Sequence, residues 1–157
     1  MPYVDVMIHY VWSTKNRQPV LTDEIRQSLF AHIKENAKRK NIYLDKVNGW
    51  TDHVHCLVSL RTGQTIDKIA QMIKGESSYW FNHFSGFEDI VLDWQDEYFA
   101  VSVSKSMLEK IQRYIDNQEN HHKSKTYEDE MTEFSKKYGF ELYKKGEKKS
   151  DDKARKT

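Results

Sequence analysis

A chain of 157 residues is long enough to bury one core of ordinary size, and 31% charged with 13% aromatic residues describes a globular protein, not a disordered one. The formal net charge of +1 excludes a uniformly basic surface, so any nucleic-acid footprint must be local. Cys56 is the single cysteine, which excludes an internal disulfide, and no run approaches the roughly 18 apolar residues of a membrane helix. The opening "MPYVDVMIHYVW" has no basic region ahead of an apolar one, so it does not read as a signal peptide, and the expected compartment is the cytoplasm.

Residues 3 to 13 alternate, with Val4, Val6, Ile8, Tyr10 and Trp12 on one face and Asp5, Met7, His9 and Ser13 on the other, which predicts a first strand. The polar, basic loop "STKNRQP" follows. "LTDEIRQSLFAHIKENAKRKN" predicts a helix capped by Thr22 or Asp23, with Ile25, Leu29, Ile33 and Ala37 at the helical period. Its last turn carries Lys38, Arg39 and Lys40, favourable against the helix dipole. A second strand over 42 to 48 runs through "NGWTD", whose Asn-Gly pair signals a hairpin, into a third strand over 53 to 60. A second helix is predicted from Thr65 to Phe84, with Ile66, Ile69, Ala70, Ile73 and Trp80 on its apolar side. A further strand is placed near 97 to 104. "SKSMLEKIQRYIDNQENHHKS" then predicts a third helix with Leu108, Ile111 and Ile115 inward, and a short helix is expected around Asp129 to Tyr138. The order β-α-β-β-α-β implies an α+β fold, the ferredoxin-like split βαβ with an antiparallel sheet, plus extra C-terminal helix carrying Tyr114. One domain is assigned to residues 1–143 and a charged, disordered tail to 144–157, where no apolar periodicity is left.

The chemistry concentrates in "DHVHCLV", residues 52 to 58. On a strand, i and i+2 share a face, so Val54, Cys56, Val58 and Leu60 point to a core while His53, His55, Leu57 and Ser59 point the other way. Two imidazoles side by side suit a shared metal ion; the plain alternative is a pair of solvated or hydrogen-bonded side chains. Cys56, on the apolar face, reads as a small core residue and not a nucleophile. Tyr114 and Gln118, four residues apart, share a helical face at the edge of the Leu108, Ile111 and Ile115 stripe, where they are able to lean over a sheet face. A half-buried tyrosine with a surface glutamine is the alternative there.

"DHVHCLV", followed about sixty residues on by "YIDNQENHH", resembles the HUH endonucleases that use one catalytic tyrosine, Val54 filling the apolar middle place. The resemblance is to the single-tyrosine transposases of small bacterial insertion sequences that move as single-stranded DNA, and to their REP-associated relatives. "HYVWSTKNRQPVLT", "IKGESSYWFNHF" and "YFAVSVS" extend it over residues 3 to 140. The chain departs from the pattern at Thr51, where the family often has proline, and in the tail after Tyr143.

The resemblance implies that His53, His55 and Gln118 hold a divalent metal, magnesium or manganese, and that Tyr114 attacks a DNA phosphodiester to give a 5′-phosphotyrosine. It further implies single-stranded DNA with a hairpin as partner and a homodimer, with composite sites in many members. Asp52 ranks as an outer-shell or turn residue, and His9 as a neighbour of the metal or a hydrogen-bonded structural group. Tyr127 is a rival nucleophile, but Met131 four residues on supplies no ligand. Lys15, Arg17, Lys38 to Lys40, Lys74, Lys105, Lys110, Arg113 and His121 are candidates for DNA contacts, against the alternative of ordinary solvated side chains. His122 stands with His121 as a neighbour of DNA or the metal. Two other functions use overlapping features: a replication initiator or relaxase with the same chemistry, and a non-catalytic nucleic-acid-binding module on this fold.

Overall fold

A computed structural model describes residues 2–122 and 125–138. The chain forms two compact units, one running to residue 124 and the other starting at residue 125. In the first unit, β1 (Val6–Ser13) leads through a single 3-10 turn into α1 (Asp23–Arg39), then β2 (Tyr43–Gly49), β3 (His53–Leu60), α2 (Ile66–Phe84) and β4 (Phe99–Val103). Two short helices complete it, α3 (Leu108–Asp116) and α4 (Gln118–His122). The strands form one antiparallel sheet in the order β2-β3-β1-β4, the ferredoxin-like arrangement that the element order implies. Among the described residues no helix is long and apolar enough to cross a membrane.

Local signals explain where the helices start. The Thr22 hydroxyl accepts the Ile25 N–H and the Thr65 hydroxyl accepts the Lys68 N–H, each satisfying one of the amides that a helix start leaves open. One sheet face then forms the core. Tyr10, Trp12, Val54, Cys56 and Val58 pack with Ile25, Leu29 and Ile33 of α1 and Ile69, Ile73 and Phe81 of α2, all buried. Each buried aliphatic side chain of this kind contributes about 2 kcal/mol. Burial pushes the Cys56 thiol far above the ordinary cysteine range, so it is a core residue and not a thiolate.

Several boundaries differ from the sequence reading, and four of them have a clear physical reason. β1 begins at Val6, because Val6 pairs with Leu60, the last residue of β3, and nothing continues the ladder beyond it. Asn48 and Gly49 lie inside β2, opposite His55 and Val54, and the turn itself is Trp50 to Asp52. Gly49 is required by close approach and not by turn geometry: a Cβ there would lie 2.1 Å from the His53 carbonyl oxygen. The predicted third helix breaks at Asn117, which takes a non-helical φ of -99° and ψ of 21°. In the second unit α5 spans Tyr127–Tyr138, starting two residues earlier than predicted, and Thr126 and Asp129 cap it reciprocally through side chain and backbone. The tail assigned to 144–157 lies outside the described residues.

Candidate active site

The second face of the sheet carries the histidines. His53 and His55 sit opposite Ser13 and Val11 of β1, and His9 lies two positions further along that strand, diagonal to His55. All three imidazoles are fully or nearly fully buried. His55 meets Tyr114 of α3, and His53 meets Gln118 and His122 of α4.

Three side chains of the edge strand moor α3. The Asn48 amide donates to the backbone carbonyl of Ile115 at 2.8 Å and to that of Asp116 at 3.3 Å, satisfying carbonyls that the helix end leaves open. Lys46 pairs with Asp116 at 3.0 Å, which raises the lysine pKa, and the Gln112 amide donates to Asp45 at 2.8 Å. Ile111 and Ile115 fill the space beneath the helix. None of the three mooring residues stands out in the sequence, since Asn48 reads there as a turn former.

With α3 held so, the ring of Tyr114 lies 5.6 Å from that of His55, nearly perpendicular to it, and 5.1 Å from that of His121. Gln118 opens α4 beyond the break at Asn117 and is fully buried. Its amide nitrogen donates to the Tyr114 carbonyl at 3.3 Å, which turns its oxygen toward His53. The tyrosine and the glutamine are therefore joined through one hydrogen bond.

The proton inventory around His53 is informative. Asp52, next in the chain, accepts the His53 Nδ1–H at 2.8 Å. In the neutral ring this leaves a lone pair on Nε2, and that nitrogen lies 3.2 Å from the Gln118 amide oxygen. Two acceptors facing each other at that distance repel unless a positive group lies between or beside them. A nitrogen of His55 lies within 4.8 Å of one of His53. Two imidazoles and one amide oxygen make a donor set that fits a divalent cation. Asp52 is the outer partner that sets the His53 tautomer.

The remaining candidates separate. His122 packs against His53 with ring centroids 4.5 Å apart and stacks on Trp50 at 6.2 Å; His121 adjoins Tyr114. The basic first loop is tied to the site's edge, since the Thr14 N–H donates to the Asp52 carbonyl at 2.8 Å. Within it Lys15 stands 3.6 Å from Asp93, and Arg17 takes a left-handed backbone with φ 51°. The Lys74 ammonium donates to the carbonyls of Gln95, Asp96 and Glu97, and its burial lowers its pKa. That makes it a clamp on the loop before β4. Lys105 pairs with Asp5 at 2.7 Å. Lys110 and Arg113 are exposed on α3, and Lys38 to Lys40 end a helix that covers the opposite face of the sheet. Tyr127 opens α5 in the second unit.

The family model for IS200-like transposases matches residues 2–118. The chain is 26% identical over 114 residues to the ISDra2 transposase TnpA of Deinococcus radiodurans, a match that covers 70% of this chain and 81% of the relative. A crystal structure from Deinococcus radiodurans R1, described as a transposase, superposes with a TM-score of 0.59 at 28% identity, covering 75% of this chain and 95% of the other. A REP-associated tyrosine transposase bound to a REP hairpin shares the fold, with a TM-score of 0.51 at 17% identity over 75% of this chain and 67% of the other.

Proposed function

The chain belongs to the IS200-like transposase family, and from that premise we propose that it cuts and rejoins single-stranded DNA through a 5′-phosphotyrosine on Tyr114. The observation that carries this reading is the meeting, within one chain, of the Tyr114 ring with His55 and of the His53 and Gln118 lone pairs. The Tyr114 oxygen attacks phosphorus, and the bond to the 3′ oxygen breaks as the new bond forms. The phenolic proton passes to solvent, and the departing oxygen takes one up to become a 3′ hydroxyl. A tyrosine ordinarily ionises near about pH 10 and is a modest nucleophile, but its ester conserves the energy of the phosphodiester. A free 3′ hydroxyl is then able to attack and form a new junction, which suits strand transfer and is wasteful for hydrolysis.

His53, His55 and Gln118 would hold a divalent cation, magnesium or manganese, which when bound supplies Lewis-acid stabilisation to the phosphate oxygens and the leaving group. Asp52 fixes the His53 ring, and the Tyr114 carbonyl fixes the Gln118 amide, so nucleophile and ligand move together. The hairpin held by the REP-associated fold neighbour supports a hairpin-bearing strand as the partner. Arg17, Lys110, Arg113 and His121 are the proposed DNA contacts. The protein is taken to act as a homodimer. Relaxases and initiators would use the same residues, but the family match favours a transposase.

The test is a single-stranded hairpin substrate incubated with manganese and run on a denaturing gel. A label downstream of the cut should migrate with protein, and an upstream label should run free with a 3′ hydroxyl. An adduct carrying the upstream label would reverse the assigned polarity. Mixing Tyr114→Phe with His53→Ala subunits decides how the site is assembled: restored cleavage places the tyrosine in trans, and no restoration places it in cis.

A further inference from the structure

His9 is a buried imidazole on β1 that the proposed chemistry does not use. Its Nε2 lies 2.9 Å from Nδ1 of His55, and the two rings stack with centroids 5.1 Å apart and planes 27° apart. A single proton lies in that hydrogen bond, and its side decides what His55 does. If His9 donates, neutral His55 keeps its own proton on Nε2 and has no lone pair there for a cation. If His55 donates, its Nδ1 carries the proton and its Nε2 carries the lone pair.

We infer that His9 is a positioning residue for His55: its Nε2 accepts the His55 Nδ1–H and holds the lone pair on His55 Nε2. This rests on the metal reading given above. The pattern repeats that of His53, whose Nδ1–H is given to Asp52, so both site histidines adopt one tautomer through different outer acceptors. The difference has a chemical consequence. A carboxylate in the outer shell offsets part of a cation's charge, whereas a neutral imidazole does not, so the His55 side keeps more positive field for an anionic phosphate. The stack and the cross-strand diagonal hold the ring in place without a formal charge.

The experiment uses the full chain with 15N-labelled histidine at a fixed neutral pH, first without metal. Long-range proton–nitrogen spectra should show His55 protonated at Nδ1 and bare at Nε2. His9→Phe keeps a stacked ring but removes the acceptor, so it should mix the His55 tautomers and weaken manganese binding about 10- to 100-fold by calorimetry. His9→Gln restores an acceptor and should recover part of that loss at unchanged melting temperature. A wild-type His55 protonated at Nε2, or a His9→Phe protein that binds manganese like wild type, overturns the inference. If the wild-type protein binds no manganese the metal reading fails, and the tautomer spectrum still decides the role of His9 independently.

Discussion

The two faces of one sheet are made by alternate residues of the same strands, yet they are held by different physics. On one face Tyr10, Trp12, Val54, Cys56 and Val58 are buried against α1 and α2 by apolar contact. On the other His9, His53 and His55 are buried just as fully, but polar groups taken out of water cost free energy unless hydrogen-bonded. His9 and His55 are hydrogen-bonded to each other and His53 to Asp52, while the contact of His53 with the Gln118 oxygen is left for a cation to satisfy. The first face therefore supplies stability that tolerates approximate geometry, and the second supplies geometry that contributes little stability. Period-two alternation places the two a single residue apart, so a substitution at one position tests one face alone.

The largest effect expected is on the second face. Tyr114→Phe removes one hydroxyl and should abolish the covalent adduct on a denaturing gel while leaving melting temperature, manganese binding and DNA binding near wild type. An adduct that survives would mean that another residue, Tyr127 foremost, is the nucleophile. The mirror experiment on the first face is Leu29→Ala. It should cost about 2–5 kcal/mol in denaturant unfolding, as large-to-small changes in a packed core do, with adduct yield per folded molecule unchanged. Loss of adduct without loss of stability would dissolve the contrast between the faces.

Much of this division is legible in the sequence, because the period of two in "DHVHCLV" and the helical period of α1 and α2 are local properties of the chain. The places of His53, His55 and Tyr114 on their elements follow from the same periods, whereas Gln118, expected one turn beyond Tyr114 in a continuous helix, opens a separate helix after the break at Asn117. What is not legible depends on groups far apart in the chain. Asn48 reaches the Ile115 carbonyl across 67 residues, Lys46 reaches Asp116 across 70, and His9 meets His55 across 46. Such contacts leave no periodic trace. Lys74 shows the reverse limit: its charge is visible in the sequence, but its capture by three carbonyls is not.

Gly49 joins the two kinds of information and sharpens the comparison. The Asn-Gly pair marks the right place for the wrong reason, since the glycine is needed to let the His53 carbonyl approach. Gly49→Ala forces a backbone shift at a ligand-bearing residue, and overpacking of this kind costs about 1–3 kcal/mol. A displacement of the site on the order of 1 Å should also slow cleavage about 100-fold, measured as single-turnover adduct formation. Both observables should fall together here, unlike in Tyr114→Phe or Leu29→Ala. A Gly49→Ala protein with normal cleavage would show that the His53 backbone is free to yield.

The smallest effect is expected outside both faces, on the exposed side of α3. Lys110 and Arg113 project from the helix that carries Tyr114, while Ile111 and Ile115 anchor its buried side. Replacing both charges with alanine leaves the moorings at Asp45, Lys46 and Asn48 untouched, so stability and adduct chemistry at saturating DNA should not change. If each side chain meets one backbone phosphate, each releases condensed counterions when the strand binds. The slope of log affinity against log salt should then become shallower by about 1.4, at roughly 0.7 per contact on a single strand. Weakening by charge alone should also be uniform across sequences, because phosphates carry no base information. An unchanged salt slope would move the DNA path off this side of α3. A loss confined to one hairpin sequence would instead make these residues readers of base or shape.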